Sequence, residues 1–126
     1  MDNLQNELRL DLFDLFGIED LSNSDLEELE AKLQTEDDFE FEIERCEYRF
    51  ISADSIWDIY YNEQEKQITE LYLSELKKEW WIEIDMEATI DNVFNADGYD
   101  HHFGRYDGSG VELIYDGQKF HIYRVN

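Results

Sequence analysis

Proline is absent from this chain of 126 residues, and cysteine occurs once. Without proline, and without a stretch rich in glycine and serine, the sequence offers no linker, so we expect one domain spanning residues 1–126. The single Cys46 excludes an intramolecular disulfide framework. No stretch approaches the roughly 20 apolar residues of a membrane-spanning helix, and the N-terminus lacks the pattern of a secretory signal. These absences predict a cytoplasmic protein without membrane association.

Basic residues are also scarce. Lysine and arginine number 10 against 33 aspartates and glutamates, which leaves a net charge of −23. This deficit argues against direct binding to nucleic acid, since neutralising phosphates requires an excess of cations, and an anionic membrane would repel the chain. The net charge is −13 over residues 1–51, −9 over residues 52–99 and −1 over residues 100–126. Because like charges repel one another in a compact chain, this excess indicates a function that uses negative charge.

The acidic residues belong to a folded domain rather than to a disordered tail. Apolar residues make up 42% of the chain and aromatic residues 15%, and both fractions are too high for a chain that cannot build a core. The acids also interleave with apolar residues instead of forming one block. We therefore expect a globular protein with an acidic surface.

Two amphipathic helices are predicted near the N-terminus. Leucines at helical spacing predict a helix over residues 3–16, with Gly17 as its stop. A capping box that starts at Ser24 predicts a second helix to about Thr35, with its glutamates mostly facing outward. The two helices are expected to form a helical hairpin.

The middle of the chain predicts a third helix over residues 55–78, capped by Asp54 or Ser55. The wholly polar stretch 62–67 leaves the turn of a β-hairpin open as an alternative. Residues 86–94 are expected to form a short helix or loop whose Ala88, Ile90 and Val93 face inward. The glycine and polar turn residues that follow predict a long loop over residues 95–110.

Strand patterns complete the fold. Residues 39–44 alternate strictly between apolar and acidic, which predicts a half-buried strand, and a change of phase predicts a bulge or break near Arg45. A further strand is expected over residues 81–84. Asp116 and Gly117, flanked by apolar runs, predict a C-terminal hairpin. The fold class is therefore α+β, with helices packed on a small, mostly antiparallel sheet of about four strands.

Acidic side chains recur at spacings that suit the imitation of a nucleic acid. Glu40, Glu42 and Glu44 would lie roughly 6.6 Å apart along a strand, a separation comparable with that of neighbouring phosphates. Duplex DNA carries one charge per about 1.7 Å of its axis. A globule of this length is about 36 Å across, so its 23 net charges correspond to one per about 1.6 Å.

The expected partner-binding residues form two acidic patches with aromatic side chains nearby. The first patch comprises Glu27, Glu30, Glu36, Asp37, Asp38, Glu40, Glu42 and Glu44. The second patch comprises Asp58, Glu63 and Glu65. Apolar anchors for the same interface are expected among Trp57, Tyr60, Tyr61, Trp80 and Trp81.

One segment offers an alternative chemistry. Residues 97–108 contain two histidines and three aspartates, which suits a divalent metal or a hydrolytic site centred on Asp100, His101 and His102. A packed loop whose aspartate and histidine side chains bond the backbone is the favoured interpretation. No Gly-rich phosphate loop and no metalloprotease or serine hydrolase motif occurs. We therefore expect no enzyme, no cofactor and no metal.

A family resemblance supports mimicry. Ile84, Asp85, Glu87 and Ala88, followed by Asp91 in a small acidic chain, resemble a segment of plasmid-borne and phage antirestriction proteins that mimic DNA. The resemblance implies a protein that occupies the DNA-binding groove of a defence nuclease. We therefore expect an inhibitor that imitates nucleic acid and blocks a basic nucleic-acid-binding protein, such as a restriction or CRISPR-type nuclease.

The sequence leaves other partners open. An immunity or antitoxin-type protein that neutralises one basic toxin would also need an acidic face. It would differ in breadth, because a mimic should bind several DNA-binding proteins and an immunity protein only one. A homodimer is compatible with the sequence as well.

Moderate salt should raise the melting temperature of this protein. Mobile ions screen the repulsion among the excess carboxylates over a Debye length of about 10 Å at 0.1 M salt. Thermal unfolding followed by circular dichroism across a sodium chloride series would measure the effect. A melting temperature that does not respond to salt would mean that the carboxylates are neutralised by local pairing.

Overall fold

A computed structural model describes residues 3–19, 21–75 and 85–126. Along the chain it contains α1 (Asn3–Phe16), α2 (Asn23–Thr35), β1 (Asp38–Ile43), β2 (Cys46–Ser52), α3 (Ile56–Glu75), α4 (Met86–Phe103), β3 (Gly110–Tyr115) and β4 (Gln118–Arg124). The strands form one antiparallel sheet in the order β1-β2-β4-β3, which confirms the α+β prediction. Within the described ranges, no helix is both long and apolar enough to cross a membrane.

The first helix has the predicted bounds, and the second ends at Thr35 as predicted but begins earlier. α1 ends at Phe16, and Gly17 follows it with φ 69° and donates its N–H to the Phe13 carbonyl at 2.7 Å. The N-cap of α2 is Ser22 rather than the predicted Ser24. Ser22 has the extended backbone that a cap requires, and its Oγ accepts the Asp25 N–H at 3.1 Å.

The second pair of helices corrects one prediction. α3 is continuous through residues 62–67, so the helix prevails over the hairpin alternative. α4 extends to Phe103, so the long loop predicted over residues 95–110 is wrong for residues 95–103, while residues 104–109 belong to no helix or strand. Gly98, with φ 71° and ψ −173°, kinks α4 without ending it. The helix continues past the kink because Phe103 packs into the core, where it is 1% exposed.

Side-chain positions in α4 follow the prediction only in part. Ile90 is buried and Val93 is half-buried, whereas Ala88 is exposed and does not face inward as predicted. The strand expected over residues 81–84 lies outside the described residues.

Both hairpins turn on two residues with positive φ. Glu44 and Arg45, with φ 51° and 71°, join β1 to β2, so the break predicted near Arg45 is a hairpin turn. Asp116 and Gly117, with φ 50° and 77°, join β3 to β4, and the predicted C-terminal hairpin is confirmed. Two successive positive φ values match the twist of the flanking strands, which favours short hairpin turns of this kind.

The sheet has a hydrophobic core on each face. On the first face, α1 and α2 pack against all four strands through Leu8, Leu12, Leu26, Leu29, Leu33, Phe41, Phe50, Leu113 and Ile122, among others. On the second face, α3 and α4 pack against the two central strands through Ile51, Ile56, Tyr60, Ile90, Phe103 and Tyr123. β1 and β3 are the outer strands of this sheet, and on β1 the second face carries acidic rather than apolar residues.

The Ser22→Ala substitution should destabilise the protein by about 1 kcal/mol, because it removes the hydroxyl that caps α2. Ser24→Ala is the matched control, since Ser24 is exposed inside the first turn of the same helix. Urea unfolding of both variants would measure the difference. If Ser24→Ala were the more destabilising of the two, the capping assignment would be wrong.

Candidate partner-binding surface

An acidic margin runs along β1 and its two ends. The strand alternates strictly, so Asp38, Glu40 and Glu42 are exposed while the three apolar residues between and after them are buried. The sequence predicted this alternation, and the other predicted carboxylates at the approach to the strand and at the turn that follows it are also exposed. The acidic margin therefore comprises Glu36, Asp37, Asp38, Glu40, Glu42 and Glu44.

Two glutamates face each other across the first hairpin. Glu42 of β1 is the direct cross-strand partner of Glu47 of β2, and both side chains are exposed. Within the described part of the chain, neither carboxylate forms an ion pair. Sequence reasoning missed Glu47, although a two-residue turn at Glu44 and Arg45 would have set this register.

Asp38, the first residue of β1, is neutralised by an arginine of the same protein. Arg49 of β2 donates to both Asp38 oxygens, at 2.8 and 2.7 Å, and to Glu63 of α3 at 3.3 and 2.5 Å. Burial opposes the charge on Arg49, yet these hydrogen bonds raise the pKa of its guanidinium. The arginine thus ties the edge of the sheet to α3.

Glu63 is therefore part of an internal network rather than of an open acidic patch. Its second partner is His102 of α4, whose Nε2 donates to Glu63 Oε1 at 2.9 Å if Nδ1 accepts from Gln64 at 3.2 Å. Burial opposes ionisation of Glu63, but the hydrogen bonds from Arg49 and His102 lower its pKa. The prediction that placed Glu63 on a partner-binding surface did not foresee these contacts.

The residues proposed for a metal or hydrolytic site do not converge. Asp100 and His101 are exposed, whereas both ring nitrogens of His102 have partners inside the protein. Successive residues of a helix point about 100° apart, since a turn takes 3.6 residues. Among the residues that the structure describes, no group of three or more histidine, cysteine or acidic side chains is placed to hold a metal.

Glu30 is a correction to the first patch. It was expected to face outward with the other glutamates of α2, but it is 8% exposed and accepts the Tyr115 hydroxyl at 2.6 Å. Gln34 in turn donates to the Tyr115 oxygen at 3.2 Å. Glu30 lies four residues after Leu26 and three before Leu33, so helical spacing places it on the apolar stripe. Glu27, by contrast, is exposed as predicted.

A second acidic surface joins α3 to the start of α4. Asp58 and Glu65 are exposed and lie seven residues apart, which is about two helical turns and hence the same side of α3. Loss of hydration and the charges of nearby carboxylates from both helices raise the pKa of Tyr61. The α3/α4 acidic surface comprises Asp58, Glu65, Asp85, Glu87 and Asp91, of which the last four lie near Tyr61.

This surface includes residues that sequence reasoning treated separately. Asp85, Glu87 and Asp91 carried the antirestriction resemblance, and the fold places them beside Glu65 of the second patch. Among the expected aromatic anchors, Trp57 and Tyr61 are half-buried, while Tyr60 is fully buried and is not accessible to a partner. The remaining anchors, Trp80 and Trp81, lie outside the described residues, as does Ile84.

Comparison of the chain with protein-family models, with curated proteins and with solved structures finds no match. The site is therefore characterised by its own charges. In the described ranges, ion pairs engage four carboxylates, those of Glu36, Asp38, Glu63 and Glu112. Most of the exposed acidic residues in these ranges form no ion pair within the protein.

The Glu63→Gln substitution should destabilise the protein by about 1 to 3 kcal/mol at pH 7, because it leaves Arg49 and His102 without their shared anion. Glu65→Gln is the matched control, two residues away on the same helix and exposed. Urea unfolding of both variants would measure the change.

The loss should depend on pH in a defined direction. Because the folded pKa of Glu63 lies below its unfolded value, its contribution is complete above the unfolded pKa and disappears as the pH falls through the folded pKa. The difference between wild type and Glu63→Gln should therefore shrink in acid. A difference that stayed constant from pH 7 to about pH 3 would contradict the ion-pair assignment.

Proposed function

We propose that this protein is an acidic inhibitor that imitates nucleic acid and blocks a DNA- or RNA-binding protein, such as a restriction or CRISPR-type nuclease. The observation that carries the proposal is the pairing of Glu42 with Glu47. Like charges directly opposite each other in a sheet are destabilising. A chain selected for stability alone would place a cation at one of these positions, so the pair is better explained by a function that requires both anions.

The spacing of the acidic margin supports the same proposal. Glu40 and Glu42, on alternate residues of β1, present carboxylates roughly 6.6 Å apart, and regularly spaced anions are what a nucleic-acid-binding groove recognises. Asp37 precedes the strand and Glu44 follows it at the hairpin turn, both exposed and, within the described ranges, without an ion pair. Glu40 and Glu42 lie on a β-strand, a rigid element that holds the anions in position.

The inhibitor would act first through its electric field. A net charge of −23 attracts a basic groove and accelerates the encounter, while matching of charge at short range suppresses wrong partners. The half-buried Trp57 and Tyr61 in the α3/α4 acidic surface would add apolar contact and lengthen the lifetime of the complex. The target and the inhibitor would meet in the cytoplasm.

Glu47→Lys and Glu42→Lys should each weaken inhibition about tenfold while making the protein more stable, by up to about 1 kcal/mol. Each substitution replaces a like-charge pair with an opposite-charge pair. Asp14→Lys is the matched control, because Asp14 is exposed on α1 and the change in net charge is the same. DNA cleavage by type I and type II restriction enzymes, a Cas9-type effector and a non-specific DNase would be measured against inhibitor concentration.

The outcomes separate the candidate functions. Inhibition of several enzymes, weakened at Glu42 and Glu47 but not at Asp14, supports mimicry through this hairpin. Inhibition of one enzyme alone assigns the protein to the immunity class instead. Equal loss in all three variants would show that only total charge matters, and an inactive wild-type protein would reject the proposal.

A further inference from the structure

A pocket of about 250 Å³ lies where the kinked part of α4 meets β3 and β4. Its lining includes two carboxylates, an imidazole and two phenol rings, contributed by Asp100, Glu112, His121, Tyr99 and Tyr123. No residue of either predicted acidic patch belongs to it. Unlike the acidic margin, it is a concavity, and a concavity can enclose a side chain of a partner.

Two glycines give the pocket its shape. Gly98 adopts φ 71°, a conformation that side chains rarely allow, and the resulting kink redirects the residues that follow it, Tyr99 and Asp100. A Cβ at Gly110 would overlap the ring of Tyr123, which forms one wall. The position of the Tyr123 ring as a wall therefore depends on the absence of a side chain at Gly110.

The charges in the pocket favour a cation. Burial lowers the pKa of His121, so the imidazole is neutral at pH 7 and does not repel a positive charge. Glu112 is the direct cross-strand partner of His121, and its Oε2 lies 3.3 Å from Lys119 Nζ. That ion pair is open to solvent on both sides and hence weak, so a ligand can replace Lys119 at modest cost.

Asp100 and the aromatic rings supply the remaining attraction. The Asp100 carboxylate lies close enough to Tyr123 that, after burial, it is the main cause of the raised pKa of that phenol. Tyr99 lies 6.3 Å from His121 between ring centroids and is half-buried beside the pocket. Aromatic faces attract cations, Arg guanidinium groups most often, and the attraction grows when the site is shielded from water.

We propose that this pocket binds a guanidinium or alkylammonium group, and that its occupant is an arginine or lysine side chain of the basic partner. That the occupant is a side chain of the partner rests on the proposed function, whereas the binding of a cation in the pocket does not. The carboxylates of Asp100 and Glu112 provide the charge, and the Tyr99 and Tyr123 rings provide the walls. The partner would thus be held by one inserted side chain as well as by its general attraction to the acidic surface.

The direct test uses n-butylguanidinium and n-butylammonium as probes of the purified protein, with the uncharged n-butylurea as control. NMR resonances of the His121, Tyr99 and Tyr123 rings should shift saturably with either cation. The protein should bind either cation about tenfold more tightly than the urea. Sodium chloride at equal ionic strength controls for screening. Shifts that follow ionic strength alone, or equal binding of the urea, would overturn the assignment.

Variants locate the binding. Asp100→Asn should weaken binding of the cations about tenfold, since it removes one charge and keeps the shape. Gly110→Ala should also weaken it, because the added Cβ would overlap the Tyr123 ring and displace that wall, and a folded-state spectrum checks that variant first. Asp14→Asn is the matched control, because Asp14 is exposed on α1, outside the pocket and outside both acidic surfaces. Unchanged binding in Asp100→Asn overturns the proposal whether or not Gly110→Ala folds.

The nuclease assay then separates a partner side chain from a free amine. Weaker inhibition by Asp100→Asn, with Asp14→Asn unaffected, supports an inserted side chain of the partner. If the wild-type protein binds the cation saturably but Asp100→Asn inhibits as well as the wild type, the inserted partner side chain is ruled out. The pocket is then a site for small amines. If the wild-type protein inhibits no enzyme, the proposed function fails, while the titration with n-butylguanidinium still decides whether the pocket binds cations.

Discussion

The pairing of β2 with β4 is the interaction on which the rest of the structure depends. These central strands supply side chains to both cores, with Phe50 and Ile122 on one face and Ile51 and Tyr123 on the other. Their alternation lets one backbone ladder support two helical layers. The pairing joins residues 48–52 to residues 120–124. Because each core takes side chains from both strands, neither core is complete until these two distant segments have paired.

Electrostatic repulsion is the opposing constraint. Among the described residues, two carboxylates that the fold encloses are hydrogen-bonded: the buried Glu30 by Tyr115, and the half-buried Glu63 by Arg49 and His102. Arg49 matters most, because its guanidinium contacts carboxylates on β1 and α3 at once and packs 4.9 Å from the Phe103 ring. Arg49 thus stabilises the fold, while most of the exposed carboxylates of the described residues form no ion pair within it. This division is compatible with the proposed function, which uses negative charge.

Local patterns predicted much of the fold for physical reasons that need no tertiary information. Alternation in residues 39–44 and the Asp116-Gly117 turn depend on neighbouring residues alone, and both predictions are confirmed. The loop predicted over residues 95–110 is wrong for residues 95–103, because glycine and polar turn residues were taken to exclude a helix there. There, burial of Phe103 outweighs the local cost of Gly98, and the chain resumes its helix after a kink. Local propensity was a weak guide wherever a large apolar side chain had a core to enter.

The sequence by itself determined the fold class, most of the element bounds and the excess of negative charge. Only the tertiary structure decided which carboxylates are exposed and unpaired and which are bound by other side chains. Glu30 is engaged by a tyrosine 85 positions away, and Glu63 by a histidine 39 positions away. Helical and strand periodicities predict on which face a side chain lies. Its hydrogen bonds and ion pairs depend on which distant residues the fold places beside it. The same reason explains why the pocket of Asp100, Glu112 and His121 has no signature in the linear chain.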